Sequence, residues 1–211
     1  MLKFDEHNKH LYTWNDKPVV SVTQLFSRIA TRKDESAPWT SISGVEFMKS
    51  KIPAIYGTYF HKIPEIMLNG DEPDYDPIFE GDVKSLNLFF AAHSYLLSDA
   101  TTKLVECKLY SEKYKYAGTL DVFSFTEDTM GRLWLIDWKT SASIAEQYKW
   151  QLAAYVQLIK ENFGIKKGIS TMTVRIRKNK MPQLQIRKPI EVKSDFNMFL
   201  SFLNVYNRKG R

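Results

Sequence analysis

In the stretch WLIDWKTSASIAEQYKWQLAAY, Trp134 to Tyr155, a carboxylate and an ammonium stand two positions apart at the end of an apolar strand. Charges in such surroundings cost free energy unless they are paired, solvated or bound. Strand side chains alternate between faces, so Asp137 and Lys139 share a face with Leu135, roughly 6–7 Å apart along the strand. Trp134, Ile136 and Trp138 share the other face. The preceding strand, AGTLDVFSF, carries its own lone acid, Asp121, expected on one face with Thr119 and Phe123. Antiparallel pairing through the turn Asp128-Thr129-Met130-Gly131 would bring Asp121 close to Asp137. Two carboxylates in one place repel, and one keeps its proton unless a cation sits between them. A divalent ion such as Mg²⁺, which takes oxygen ligands and keeps water sites open, is the usual solution. An isolated D-x-K on a strand is more often a charged rim. Here the apolar strands and the second acid favour a site.

Other polar groups have spacings that could bring them to the same place. His61 and Glu65 are four apart and share a helix face if the helix is continuous. Glu106 lies in the strand before Asp121, and Gln151 and Tyr155 are four apart on the helix after Lys139. Tyr155 also belongs to an apolar stripe with Leu152, Val156 and Ile159, so it reads equally as core.

The elements that must position these groups follow from periodicity and turn chemistry. Residues 10–20 read as a hairpin turning near Asn15-Asp16, and Ser21-Val22-Thr23 as the cap of a helix through Ala30. Thr31 to Pro38 reads as a polar loop, Ile42 to Lys49 as a weaker helical segment and Ile55 to Leu68 as a helix. Pro64 is expected to kink that last helix unless it begins near Tyr59 to Lys62. The acidic run NGDEPDYDPIFEGD reads as an exposed loop before a helix from about Val83 to Leu97. Strands are expected at Lys103–Ser111, Tyr116–Phe125, Arg132–Trp138, Ser170–Arg177 and Leu184–Arg187. Helices are expected at Ile144–Asn162 and Asp195–Tyr206, with a basic tail after them. The order points to an α/β fold, a mixed central sheet flanked by helices.

Composition narrows the function classes. A chain of 211 residues suits one domain. Residues 1–100 would form a helical part opening on a hairpin, 101–190 the sheet core, and 191–211 a closing helix and tail. One cysteine, Cys107, excludes an internal disulfide and a four-cysteine zinc or iron–sulfur site. No run is long and apolar enough to span a bilayer. The beginning, MLKFDEHNKHLYTW, lacks the apolar core of a signal peptide, so a cytoplasmic setting is expected. Net charge is +6 and unevenly spread. Residues 1–100 hold ten Lys/Arg against fourteen Asp/Glu, whereas 101–211 hold twenty against ten. Such asymmetry suits a polyanion-binding face or a solvated basic surface.

Taken together, these residues resemble the PD-(D/E)XK nuclease superfamily, specifically its RecB-type exonuclease branch, over about residues 18–160. Gly57-Thr58-x-x-His61 with Glu65 is similar to the first-helix motif. Gly118-Thr119-Leu120-Asp121 is similar to the G-T/x-x-D strand, Asp137-Trp138-Lys139-Thr140 to the D-x-K-T hallmark and Gln151-x-x-x-Tyr155 to the Q-x-x-x-Y helix. The resemblance implies a restriction-endonuclease-like core and phosphodiester hydrolysis in phage or mobile-element DNA recombination, repair or processing. It implies Mg²⁺ or Mn²⁺, one or two ions and no iron–sulfur cluster, held by Asp121, Asp137, the Trp138 carbonyl and His61. His61 would be a ligand or would place a second ion. Lys139 would orient the attacking water and offset phosphorane charge. Gln151 and Tyr155 would support the site and contact the DNA backbone. Glu65, Glu106, Thr140, Arg175 and Arg177 would be supporting or DNA-contacting groups, and Trp138, Tyr148 and Trp150 are aromatic candidates for base stacking or core. The implied partner is DNA with linear ends, single- or double-stranded, with a homo-oligomer or a recombination or replication protein as a further option. A metal-dependent endonuclease and a catalytically silent nucleic-acid-binding subunit are the alternatives.

Overall fold

The computed structural model describes residues 1–5, 11–30, 44–97 and 103–209. The strands are β1 (Leu2–Asp5), β2 (Leu11–Trp14), β3 (Lys17–Ser21), β4 (Lys103–Ser111), β5 (Tyr116–Ser124), β6 (Leu133–Lys139), β7 (Ile169–Arg175) and β8 (Gln183–Arg187). The helices are α1 (Val22–Ala30), α2 (Gly44–Leu68), α3 (Glu80–Leu97), α4 (Gln147–Phe163) and α5 (Pro189–Lys209). The fold is α/β, with an eight-stranded mixed sheet flanked by helices. No described helix is long and apolar enough to cross a membrane.

β5 is the spine of the sheet. β4 runs antiparallel along its whole length and therefore occupies one edge. The other edge is shared by two strands. β3 pairs in parallel at Tyr116 and Ala117, and β6 pairs antiparallel at Val122, Phe123 and Ser124. The sheet thus forks into two leaves, β1-β2-β3 and β6-β7-β8, and between them residues 118–121 of that edge have no strand partner among the described residues. One leaf is antiparallel throughout; the other joins β6 and β7 in parallel and β7 and β8 antiparallel.

Local chemistry explains the element ends. Asn15 and Asp16 both take positive φ, 49° and 61°, as a two-residue hairpin turn with the right twist requires. Ser21 and Gln24 form a reciprocal capping box on α1. Asp76 caps the turn Pro77–Phe79 that leads into α3. Helices α1, α4 and α5 cover one face with Leu25, Leu135, Leu152 and Phe199 buried. Helices α2 and α3 cover the other with Phe60, Phe89, Ile136 and Trp138.

Several expectations need correction. The helix carrying His61 continues from Gly44 to Leu68 straight through Pro64, absorbing the weaker segment before it. Pro64 has no amide hydrogen for the Phe60 carbonyl, and burial of Phe60 and Ile63 holds the helix together there. Helix α3 starts at Glu80, α4 only at Gln147, and α5 at Pro189, six residues before the expected Asp195. The early start of α5 has a signal: Pro189 opens the helix and Glu191 accepts the Lys188 amide at 2.8 Å. β1 was not anticipated. Thr119 and Phe123 do not share a face, because alternation slips at Asp121. Leu120 and Phe123, three apart, both pack in the α4-side core, as do Leu104 and Cys107 on β4. The slip falls at the opposed positions 106 and 121, where Glu106 has φ 46°. The polar segment Thr31 to Pro38, residues 42 and 43, and the tail beyond Lys209 lie outside the described residues.

Candidate metal centre at the sheet fork

β5 and β6 stop pairing after Val122 and Ile136, and the next residue on each strand is an aspartate. Asp121 replaces the missing ladder bond by accepting the Trp138 amide at 2.7 Å on its Oδ2. The N–H and C=O of one strand residue point to the same edge, so the Trp138 carbonyl also faces the fork. The Trp138 indole points away from it. It is 1 % exposed and packs edge-on against Phe89 and Phe90, so it is core and cannot stack on a base.

Asp137 is 1 % exposed, and neither of its oxygens accepts a hydrogen bond of normal geometry among the described residues. Its neighbour is the Lys139 ammonium, 2.5 Å from Oδ2, an ion pair without hydrogen-bond directionality. Burial pushes the Asp137 carboxyl up to about 6; Lys139 opposes the shift and Asp121 adds to it. Burial alone would lower Lys139, but Asp137 and Asp121 outweigh it and hold the ammonium above its ordinary value. Lys139 also lies over the Tyr148 ring, 5.1 Å from its centroid.

On the other side of Asp121 stand two groups from different elements. His61 of α2 places Nδ1 3.4 Å from Asp121 Oδ2. Glu106, on β4 opposite Asp121, completes a group in which His61, Glu106 and Asp121 each offer a ligand atom within 4.8 Å of the others. Burial pushes the Glu106 carboxyl up to about 8, with Asp121 and Glu65 adding to the shift. Asp121 itself is held below its ordinary value: burial would raise it, but His61 and Lys139 outweigh that. An imidazole and three carboxylates, those of Glu106, Asp121 and the buried Asp137, are a donor set that suits a divalent ion.

Contacts among the described residues fix the remaining sequence candidates, some of them away from the fork. Gln151 and Tyr155 are buried, and the Gln151 amide donates to the Tyr155 hydroxyl at 3.0 Å. The Tyr155 ring closes on Gly118: a Cβ there would meet Tyr155 Cε1 at 2.5 Å. Gly57 of α2 backs onto Thr140, its would-be Cβ 3.5 Å from Thr140 Oγ1. Arg175 sits beside Lys139 in the parallel register of β6 and β7, with its guanidinium bound to the Ser141 carbonyl and to Gln183. Arg177 bonds the Met181 carbonyl at 2.9 and 2.6 Å, across the β7–β8 turn. Trp150 packs against Phe26 and Phe202. A link that sequence reasoning missed ties the β1-β2-β3 leaf to the β5 spine: the Tyr12 hydroxyl of β2 lies 2.5 Å from Thr119 Oγ1.

No family model and no curated protein matches the chain. Among solved structures it is similar to a protein from Eubacterium rectale named "Putative exonuclease", at 15% sequence identity and a TM-score of 0.37, over 89% of this chain and 75% of that one.

Proposed function

We propose that the chain is a divalent-metal-dependent deoxyribonuclease of the exonuclease kind, acting on linear DNA in phage or mobile-element DNA processing. The observation that carries this reading is Asp137: a buried carboxylate that, among the described residues, meets the Lys139 ammonium and accepts no other hydrogen bond, one residue beyond the last β5–β6 pair and beside a second aspartate. A fold spends stability on such a group where something else completes it. Asp121, Asp137 and the Trp138 carbonyl would hold Mg²⁺ or Mn²⁺. When bound, the ion lowers the pKa of a water and neutralises charge on the phosphorane.

The chain's own groups do the rest. Lys139, paired with Asp137, would orient the nucleophile and offset phosphorane charge. Gln151 and Tyr155 hold the β5 backbone at Gly118 and keep the wall beside Asp137 closed. The excess of basic residues in 101–211, twenty Lys/Arg against ten Asp/Glu, suits binding to the phosphate backbone. The motif resemblance supplies the exonuclease assignment and the DNA processing context.

End-labelled linear duplex and single-stranded DNA, with covalently closed circles alongside, test the reading. The protein should degrade linear DNA with Mg²⁺ or Mn²⁺, leave circles intact and stop in EDTA. Asp137→Asn should lower the rate by about 10³-fold or more, the scale of losing a group that acts only in the transition state. Cleavage by Asp137→Asn at the wild-type rate would sink the assignment.

A further inference from the structure

We propose that the β1-β2-β3 leaf carries a subsite for single-stranded DNA: the strand leaves the fork over Lys108 and Phe4 and seats an unpaired base in a cavity beside Trp14. This rests on the deoxyribonuclease reading above and adds a binding site outside the metal centre.

The track begins at the fork. Thr119 lies two positions from Asp121 on β5, Lys108 lies two positions from Glu106 on β4, and the two are register partners. Phe4 and Tyr12 of the leaf close on them. The Tyr12 hydroxyl reaches Thr119 Oγ1, the Phe4 and Tyr12 rings are 4.8 Å apart, and the Lys108 ammonium stands 5.0 Å from the centre of the Phe4 ring. Two positions further from the fork, Tyr110 pairs with Ala117, and both pack with Tyr12. Ala117 is roughly 13 Å along β5 from Asp121. Tyr110 stacks on Trp14, with ring centroids 4.4 Å apart and planes inclined by 20°. Beyond Trp14 the floor opens into a cavity of about 660 Å³, lined among the described residues by Trp14, Tyr110, Tyr206, Lys17, Lys115 and Asn207. That size suits a nucleotide.

Chemistry selects the occupant. The described residues packed in this floor all come from strands. Phe4 and Trp14 stay half-buried, and Lys17, Lys108 and Lys115 are exposed. Aromatic rings stack on any base, provided that it is free of its duplex partner. Lysines beside them attract the phosphates on either side. The charged residues that line the cavity, among those described, are both lysines, and the acid next to Lys17, Asp16, is already paired with Lys3. A floor that only sealed the leaf onto the spine would need neither an open cavity nor cations around it.

Fluorescence anisotropy of a labelled oligothymidylate of about twenty nucleotides, titrated with the full chain in EDTA, reads this site without metal or cleavage. Trp14→Ala should weaken binding at least about 5-fold, the scale of one lost stacked base, and Trp14→Phe should restore most of it. Changing Lys17→Gln and Lys115→Gln together alters only exposed side chains. That variant should bind more weakly, and its log–log salt dependence should be shallower by about 1.4, or about 0.7 per lost phosphate contact. An oligonucleotide carrying iododeoxyuridine should photocrosslink to the peptide that holds Trp14, which a merely structural tryptophan would not do. If Trp14→Ala does not fold, the lysine variant and the wild-type crosslink decide. Wild-type binding by either folded variant would overturn the proposal, as would crosslinks confined to peptides that do not line the cavity. So would displacement of the oligomer by free thymidine monophosphate at equal nucleotide concentration, which marks a mononucleotide site. Each of these results leaves the nuclease reading standing if the same protein degrades linear DNA with Mg²⁺. A chain that binds and crosslinks as expected but never cleaves would keep the subsite and remove the nuclease reading.

Discussion

Asp128 and Asp137 flank the same strand, β6, and both are buried, at 7 % and 1 % exposure. Asp128, in the turn before it, is saturated. It accepts the amides of Met130 and Arg132, the Arg132 Nε and the Trp134 indole N–H. Burial would raise its carboxyl, but those donors outweigh it and bring it down to about 2. Asp137, at the far end, has the Lys139 ion pair and accepts no further hydrogen bond among the described residues, and its carboxyl is pushed the other way, to about 6. One strand therefore shows two uses of a buried carboxylate. A satisfied one fixes a turn, and the other, on the proposal above, waits for an ion. Burial and residue type alone would not separate them; the donor count does.

The strongest way to break this contrast is to make the same change at both ends. Asp137→Asn should cost about 10³-fold or more in DNA cleavage, as above, while its melting temperature in EDTA at pH 8 stays level or rises. Asp128→Asn should do the reverse: a loss of about 2–3 kcal/mol in denaturant unfolding, from charge-assisted bonds weakened in the turn, with cleavage within about twofold below its melting temperature. If Asp128→Asn left stability unchanged, the structural half of the comparison would fail.

Next in size is the wall of the fork. Gly118→Ala places a methyl against the Tyr155 ring and should cost about 1–3 kcal/mol. Pairing it with Tyr155→Leu should recover part of that loss, a non-additivity that a double-mutant cycle measures. Additive losses would mean that the two positions do not press on each other.

The smallest effect is a pH dependence without metal. Asp137 and Glu106 have raised values, about 6 and about 8, so the folded chain holds protons there that the unfolded chain has already released. Stability in EDTA should therefore fall as pH rises from about 4 towards 8. Asp128, with its lowered value, contributes stability that is full above its unfolded value near 4 and lost as pH falls towards 2. Melting temperatures across pH 3–9 should peak near pH 4–5, and Glu106→Gln should flatten the alkaline side. A flat wild-type profile from pH 5 to 8 would contradict the burial of these two acids.

The Asp137 end of this site was legible in the sequence because a strand has a period of two. Asp137 and Lys139 share a face by parity, and the hairpin turn fixed Asp121 as their neighbour. Glu106 was much less legible, since its place depends on a left-handed residue that breaks that same period. The Gly118–Tyr155 contact joins a strand and a helix thirty-seven positions apart, and no local pattern encodes such a touch. Trp138 shows the converse error: an aromatic within the motif reads as a base-stacking candidate, yet parity had already put its side chain on the α3 face. Helix α2 was misread at Pro64 because packing outweighed a lost hydrogen bond. The mixed sheet itself followed from the element order.

The fork also sets an order of assembly. β4, β5 and β6 are joined by short connections and can zip up as a meander. The β1-β2-β3 leaf joins the β5 ladder at Val20 with Tyr116 and Ser21 with Ala117 and touches it again through Tyr12 and Thr119, across about a hundred residues of chain. On the ribosome that hairpin emerges first and must remain undocked until its partner strand has been made. Its short strands and its Lys3–Asp16 pair are suited to that interval, since a charged, brief edge offers little to neighbouring chains.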